Sequence, residues 1–239
     1  MEEKKPVYKR VLLKLSGEAL SGDAGTGLDF KVMAKVCGVV AKAARMGVEI
    51  GIVVGGGNFW RGVKNGEGRM DRARADYMGM LATVMNCLAL QDVLQQQGAE
   101  AKVLTAMRIE HVGEPFSVDK AEEYLNSGKV VVFGGGVGSP FFTTDTGAVL
   151  RAALIGADAI LLAKNVDGVY SADPKKDPNA VRFDTLSYAE VLERRLAVMD
   201  STATALAMDN NIPVLVFALK DPENIRRAVR GENVGTLVK

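Results

Sequence analysis

Two segments of this sequence, Val48 to Val54 and Val130 to Phe133, are apolar almost throughout and run straight into three consecutive glycines, Gly55 to Gly57 and Gly134 to Gly136. A strand apolar at successive positions buries both of its faces. A parallel sheet covered by helices on each side achieves that, whereas a half-exposed antiparallel sheet does not. Glycine at the end of each run lets the backbone turn sharply or approach a ligand closely. Together these features point to an α/β chain with a mainly parallel sheet.

The remaining periodicity agrees. Val11 to Leu15 reads as a strand interrupted by Lys14. Phe30 to Met46 reads as a helix, with Phe30, Met33, Ala34, Cys37, Val40 and Ala41 on one face and Gly47 as its stop. Ala75 to Gln97 reads as a long helix closed by Gly98, its apolar stripe running through Met78, Leu81, Ala82, Met85, Leu88, Ala89 and Leu94. Strand Ala101 to Leu104, helix Val118 to Asn126, helix Thr146 to Ile155 and strand Ala159 to Ala163 continue the alternation. From Asn165 to Asp184 turn residues take over, as in Asp167-Gly168, Asp173-Pro174 and Asp177-Pro178, which reads as a hairpin with loops. Ser187 and Glu190 form a capping box ahead of the next helix, and another is expected around Asp200 to Asn210. A strand at Val214 to Phe217, a helix from Pro222 to Val229 and a strand at Thr236 to Val238 complete the chain. No repeat or linker divides it, so a single domain is expected over residues 1–239.

Composition excludes several functions. The chain is 48% hydrophobic and 25% charged, as in ordinary soluble domains. Its formal net charge of +1 provides no global field, so neither membrane attachment nor strong nucleic-acid binding is expected. Two cysteines, Cys37 and Cys87, lie inside apolar helical patterns, and one histidine, His111, is present. That is too few for a disulfide scaffold or a zinc site, and the segment around His111 carries no sign of a nucleophile. The opening MEEKKPVYKR lacks an apolar signal-peptide core, and a reduced, cytoplasmic location is expected.

Three loops leave strand ends with small or polar residues: Lys14-Leu15-Ser16-Gly17, Gly55-Gly56-Gly57-Asn58, and Gly134 to Thr144. Ligands of open α/β sheets bind at such ends, where glycine frees N–H groups to face phosphate oxygens. Each cluster could equally be a tight turn; three on one sheet edge favour a phosphate site. A Walker A loop is absent, so this is not a P-loop kinase; no G-x-G-x-x-G leads into a helix, which argues against a dinucleotide enzyme and a protein kinase. Phosphoryl transfer needs two anions held in line with their charge neutralised, usually with Mg²⁺. Lys14 is a cation within an apolar strand, costly unless it meets an anion. Arg61 suits a phosphate fork. Asp145, near a helix start, serves as a functional carboxylate or simply as a cap.

At these residues the sequence resembles the amino acid kinase family, and most closely its bacterial members that phosphorylate a nucleoside monophosphate. The blocks are KLSGEAL (Lys14 to Leu20), VVGGGNFWRG (Val53 to Gly62), DYMGMLATVMN (Asp76 to Asn86), GSPFFTTDT (Gly138 to Thr146), VDGVYSADP (Val166 to Pro174) and VMD (Val198 to Asp200). The resemblance implies a three-layer α/β/α sandwich of the carbamate kinase type, with the ATP side at about residues 160–239. It implies transfer of the γ-phosphoryl of Mg-ATP to UMP, inhibition by UTP, activation by GTP, and a homohexamer. Lys14, Leu15, Ser16, Gly17, Gly57 and Arg61 would contact the ATP phosphates, and Asn165, Tyr170 and Asp173 the adenine nucleoside. Gly56, Asp76 and the stretch Val137, Gly138, Ser139, Pro140, Phe141, Phe142, Thr143 and Thr144 would hold UMP. Lys14, Arg61, Asp145 and Asp200 are the implied catalytic set, the aspartates orienting the lysine and lying near Mg²⁺. Gly22, Asp23, Ala24, Gly25, Thr26 and Gly27 resemble the GTP effector loop. Rival readings are a carbamate or amino acid kinase, a nucleotide sensor, and a metal-storage protein of the same fold.

Overall fold

The computed structural model describes residues 4–61, 70–174 and 176–239; Gly62, the last residue of the VVGGGNFWRG block, lies outside them. In chain order the elements are β1 (Arg10–Leu15), α1 (Phe30–Arg45), β2 (Glu49–Val54), α2 (Arg72–Gln96), β3 (Ala101–Thr105), β4 (Glu114–Pro115), α3 (Val118–Asn126) and β5 (Val130–Gly134). There follow α4 (Thr144–Leu154), β6 (Ala159–Lys164), β7 (Thr185–Leu186), α5 (Tyr188–Glu193), α6 (Ser201–Asp209), β8 (Val214–Ala218), α7 (Glu223–Val229) and β9 (Gly235–Val238). Short 3₁₀ turns at Gly17–Leu20 and Gly22–Ala24 follow β1.

Among the described residues the strands form one sheet in the order β4-β3-β5-β2-β1-β6-β8-β9-β7. Every neighbouring pair is parallel except β8 with β9. The two-residue strands β4 and β7 are too short to leave an alternation pattern in the sequence. The chain leaves β1 towards β2 on one side and returns to β6 on the other, so β1 lies where the strand order reverses. In open α/β sheets that is where ligands bind.

Side-chain alternation sorts the core into two layers. Val11, Leu13 and Leu15 of β1 pack with Ile50, Ile52 and Val54 of β2 against α1, α2 and α7. Leu12 and Val53 face the opposite way, among residues of α3, α4, α5 and α6. The three-layer sandwich is therefore present. Alternation also fixes Lys14: it shares its face with Leu12, towards α4. Both cysteines are buried; burial pushes the Cys37 thiol up to about 12 and raises Cys87 as well.

The stripe read on α2 divides between two environments. Ala82 and Leu94 are buried, but Met78, Leu81, Met85 and Leu88 are 37%, 49%, 51% and 39% exposed. The buried face instead uses Ala75, Met80, Thr83, Val84, Asn86, Cys87, Leu90 and Val93. The helix is apolar nearly all round, so periodicity does not choose a face; by length and composition it could cross a membrane, and half of its apolar window is buried here. Phe30, expected in the core, is 59% exposed at the first turn of α1.

Gly51 marks the tightest point between β2 and the α4 layer. A Cβ there would stand 2.9 Å from Phe133 Cε2, 3.1 Å from Ile155 Cδ1 and 3.2 Å from Leu12 Cδ1. Gly51→Val is expected to destabilise the fold by about 1–3 kcal/mol through overpacking, read from denaturant unfolding. An unchanged unfolding midpoint would mean that this layer is looser than described.

Candidate active site

The parallel register brings the three small-residue loops to one edge. Lys14 is level with Val53 of β2 and Leu162 of β6, and Val53 is level with Phe133 of β5. Leu15, Ser16 and Gly17 thus leave β1 beside Gly55, whose N–H donates to the Leu15 carbonyl at 3.0 Å. The approach requires glycine, since a Cβ on Gly17 would come within 2.5 Å of both the Gly55 carbonyl oxygen and Asn58 Oδ1.

At the end of β1 the Lys14 ammonium stands 2.7 Å from Asp145 Oδ1, with side-chain exposures of 12% and 17%. Among the described residues no other donor reaches that buried oxygen. Asp145 is not the cap of its helix. Thr143 caps α4, its hydroxyl oxygen accepting from the N–H groups of Asp145 at 3.1 Å and Thr146 at 3.3 Å. The same hydroxyl donates to Asp200 Oδ2, and Thr146 Oγ1 lies 3.3 Å from that oxygen. Asp200 in turn caps α6 by accepting from Ala203 N–H at 3.0 Å. Two helix N-termini therefore converge here, with two carboxylates between them. Negative charge at helix N-termini is favourable, which helps hold these carboxylates in a half-buried place.

Lys164, at the end of β6, turns inward and donates to the carbonyl oxygens of Val198 and Ala197, just before Asp200. Burial lowers its pKa; nearby Asp145 opposes that shift and Lys14 reinforces it. The neighbouring Asn165 is exposed and lines a separate cleft with Glu18, Asp23, Lys35 and Lys220. Tyr170 donates to Asp167 at 2.8 Å and pairs across the hairpin with Arg182. Asp173 is exposed and stands 3.9 Å from Lys176. The turn-rich segment thus forms the expected hairpin on the β6 side of β1.

On the β2 side a cleft of about 470 Å³ opens between the glycine loops and α2. That volume is in the range of small-molecule sites. Its walls include Gly56, Gly57, Arg61, Asp76, Val137, Ser139, Phe142, Thr143 and Thr144, all singled out from sequence. Leu15, Ser16, Gly138, Pro140 and Phe141 belong to the same loops without lining it. Phe141 has φ +72°, and its N–H donates to Asp76 at 2.9 Å. Asp76 also accepts from Arg72 Nε at 2.8 Å, and the Arg72 guanidinium lies over the Phe141 ring at 5.6 Å. Arg61 pairs with Glu18, close to Gly57.

Sequence reading missed part of this wall. Trp60, Arg72, Gly79, Met80 and Thr83 line the cleft too. The signal was present: Asp76, Gly79, Met80 and Thr83 follow helical spacing on one face of α2, where small and polar residues interrupt the apolar pattern. Also missed was a buried amide pair. Asn58 and Asn86 exchange hydrogen bonds at 3.0 and 2.8 Å, and Asn86 Nδ2 also donates to the Gly55 carbonyl at 2.7 Å. Asn58 extends the link to the Gly22–Gly27 loop: its side chain donates to the Gly27 carbonyl at 2.8 Å, and its own carbonyl accepts from Gly27 N–H at 3.0 Å and Thr26 Oγ1 at 3.1 Å. His111 lies apart, exposed beside Gln91, Lys102 and Glu114.

A parallel α/β sheet with glycine loops, a lysine–aspartate pair and a carboxylate at the start of α6 defines a phosphotransferase that works without a P-loop. The amino acid kinase family model matches residues 9–218, and the chain belongs to that family. Among solved structures, the UMP kinase of Bacillus anthracis is 41% identical with TM-score 0.94, the match covering 97% of this chain and 96% of that one. The UMP kinase of Ureaplasma parvum is 37% identical with TM-score 0.92, covering 97% and 98%. The uridylate kinase of Archaeoglobus fulgidus is 32% identical with TM-score 0.74, covering 96% and 99%.

Gly56 offers a direct test of the cleft. A Cβ there would meet the Gly79 carbonyl oxygen at 2.7 Å and Ala82 Cβ at 2.8 Å. Gly56→Ala is expected to push the loop off α2 and to lower kinase turnover about a hundredfold, with circular dichroism close to wild type. Wild-type turnover would show that the loop tolerates displacement.

Proposed function

We propose that this chain phosphorylates UMP to UDP with Mg-ATP as donor. The observation that carries the reading is the cleft between the Gly55–Gly57 loop and α2, which meets the Lys14–Asp145 pair at Thr144. UMP as acceptor rests on the likeness to the two bacterial UMP kinases. Acceptor binding is assigned to the cleft, with Gly56, Asp76, Val137, Ser139, Phe142, Thr143 and Thr144 as walls and Gly138, Pro140 and Phe141 in the loop that carries them. To take a ribose hydroxyl, Asp76 would exchange a contact with Arg72 or Phe141. Donor binding is assigned to the β6 side, residues from about 160 onward, with Asn165, Tyr170 and Asp173 at the adenosine.

Lys14, set at the reaction centre by Asp145, stabilises the negative charge of the phosphoryl group in transit. Arg61 and the N–H groups of Gly17 and Gly57 steady the donor phosphates, with Arg61 exchanging Glu18 for phosphate. A phosphate monoester is already an anionic nucleophile at neutral pH, so no side chain need remove a proton. Among the described residues no three metal-ligating side chains cluster. Asp145 and Asp200 offer the hard oxygen donors that suit Mg²⁺ carried by ATP, which neutralises phosphate charge when bound.

The exposed stripe Tyr77, Met78, Leu81, Met85 and Leu88 on α2 is assigned to self-association, with a hexamer as the expected assembly. GTP activation is assigned to the Gly22–Gly27 loop, which Asn58 ties to the phosphate loop; UTP is expected to compete for the acceptor cleft. A cytoplasmic location completes the reading.

A coupled assay with UMP, CMP, glutamate, N-acetylglutamate, aspartate and carbamate, run with and without GTP and UTP, tests the assignment. UMP is expected to be the preferred acceptor; turnover of another with UMP inert would overturn it. Lys14→Ala is expected to lose about 10²–10³ in kcat with little change in the KM for UMP, and Asp76→Asn mainly to raise that KM. Unchanged kcat in the Lys14 variant would remove it from the reaction centre. Light scattering of a Leu81→Glu, Met85→Glu variant is expected to report a smaller particle than wild type; an unchanged mass would move the contact elsewhere.

A further inference from the structure

Arg151 is a buried cation that the mechanism above leaves idle. It sits on α4, well below Asp145, and is 5% exposed. A buried guanidinium ordinarily meets a carboxylate; among the described residues this one meets none. Its Nη2 lies 3.4 Å from the Gly136 carbonyl oxygen, and its Cζ is 3.9 Å from the centroid of the Phe116 ring. Its Nε is buried, and among the described residues it has no acceptor. Burial pulls its pKa down to about 10, which leaves it charged at neutral pH.

Its carbonyl partner belongs to the acceptor cleft. Gly136 lines that cleft and lies in a run of left-handed backbone, with φ +80° at Gly135, +58° at Gly136 and +84° at Gly138. Glycine in this region has little intrinsic preference for one shape, so the turn depends on what it packs against. Gly147 of α4 closes from one side, where a Cβ would stand 3.5 Å from the Gly136 carbonyl carbon. Arg151 holds the carbonyl, and Phe116 backs Arg151. Phe116 in turn packs edge-on against Phe133, with ring centroids 5.8 Å apart, and Phe133 leads directly into the glycines.

The charge balance singles out the same residue. Lys14 is paired with Asp145, Arg61 with Glu18 and Arg72 with Asp76. Arg151 has only a carbonyl and a ring, so its charge is not cancelled locally, and burial shields it from salt.

Building on the acceptor assignment above, we propose that Arg151 is a positioning and specificity residue for the acceptor. It fixes the Gly135–Gly138 turn from beneath and places an uncompensated positive charge under the cleft, favouring a phosphate monoester over a neutral nucleoside or a monoanionic carboxylate.

The test measures KM for UMP, KM for ATP, kcat and the thermal midpoint in wild type, Arg151→Met and Arg151→Lys. Arg151→Met is expected to raise the KM for UMP about tenfold or more, the scale of a lost hydrogen bond to a charged group. The KM for ATP should stay within about twofold. The thermal midpoint should not fall, because replacing a half-satisfied buried ion by an apolar side chain is often neutral or stabilising. Arg151→Lys keeps the charge without the planar fork, and an intermediate rise is expected. An unchanged KM for UMP in a folded variant overturns the proposal. So does an equal loss for both substrates with a lowered midpoint, which assigns Arg151 to packing alone. Should the Met variant fail to fold, the Lys variant decides by the same split. Wild-type turnover of UMP in the same assay tests the substrate reading separately. If another acceptor is used instead, the variants' KM for that acceptor still tests Arg151.

Discussion

The contact between Lys14 and Asp145 organises this molecule around a point where two otherwise unrelated elements must meet. Lys14 interrupts a strand whose neighbours Leu12, Leu13 and Leu15 are fully buried, and an unpaired ammonium there would be costly. Pairing it requires the first turn of α4 to reach the end of β1. That in turn requires the β1 and β2 turns to be narrow, hence Gly17 and Gly55, and α4 to be capped by Thr143, leaving Asp145 free to face the lysine. Asp200 joins through Thr143 and Thr146, so the start of α6 is fixed by the same cluster. The lysine–aspartate contact and the packing of two helix ends are one set of contacts.

The division of labour across β1 follows from topology. Strands β2, β5, β3 and β4 lie on one side and β6, β8, β9 and β7 on the other. Loops from the first group build the cleft, and the hairpin after β6 stands on the second. A donor and an acceptor held on the two sides would meet above Lys14. Asn86 of α2 and Asn58 brace the arrangement, linking the Gly55–Gly57 loop both to the Gly22–Gly27 turn and to the helix that presents the exposed apolar stripe.

Much of this was legible in the sequence, for identifiable reasons. Doubly buried strands leave continuous apolar runs, so the parallel sheet could be read from Val48 to Val54 and Val130 to Phe133. Glycines that permit a close approach mark strand ends, so the site edge could be read as well. The exposed face of α2 could not, because a helix apolar all round has no preferred side until its neighbours are placed. Arg151 was also silent, as were the bonds that Lys164 and Thr146 make. Each acts through backbone carbonyls or a carboxylate distant in sequence, and no local spacing encodes such partners. The sequence left Asp145 open between a cap and a functional carboxylate, and the structure gives the cap to Thr143.

The most direct measurement is a double-mutant cycle on Lys14→Met and Asp145→Asn, following the rate of UMP phosphorylation at saturating ATP. If Asp145 acts by placing Lys14, the double variant loses no more than the Lys14 variant alone, because residues working as one unit are strongly non-additive. Losses that simply multiply would contradict the account, since the two side chains would then contribute independently to the transfer.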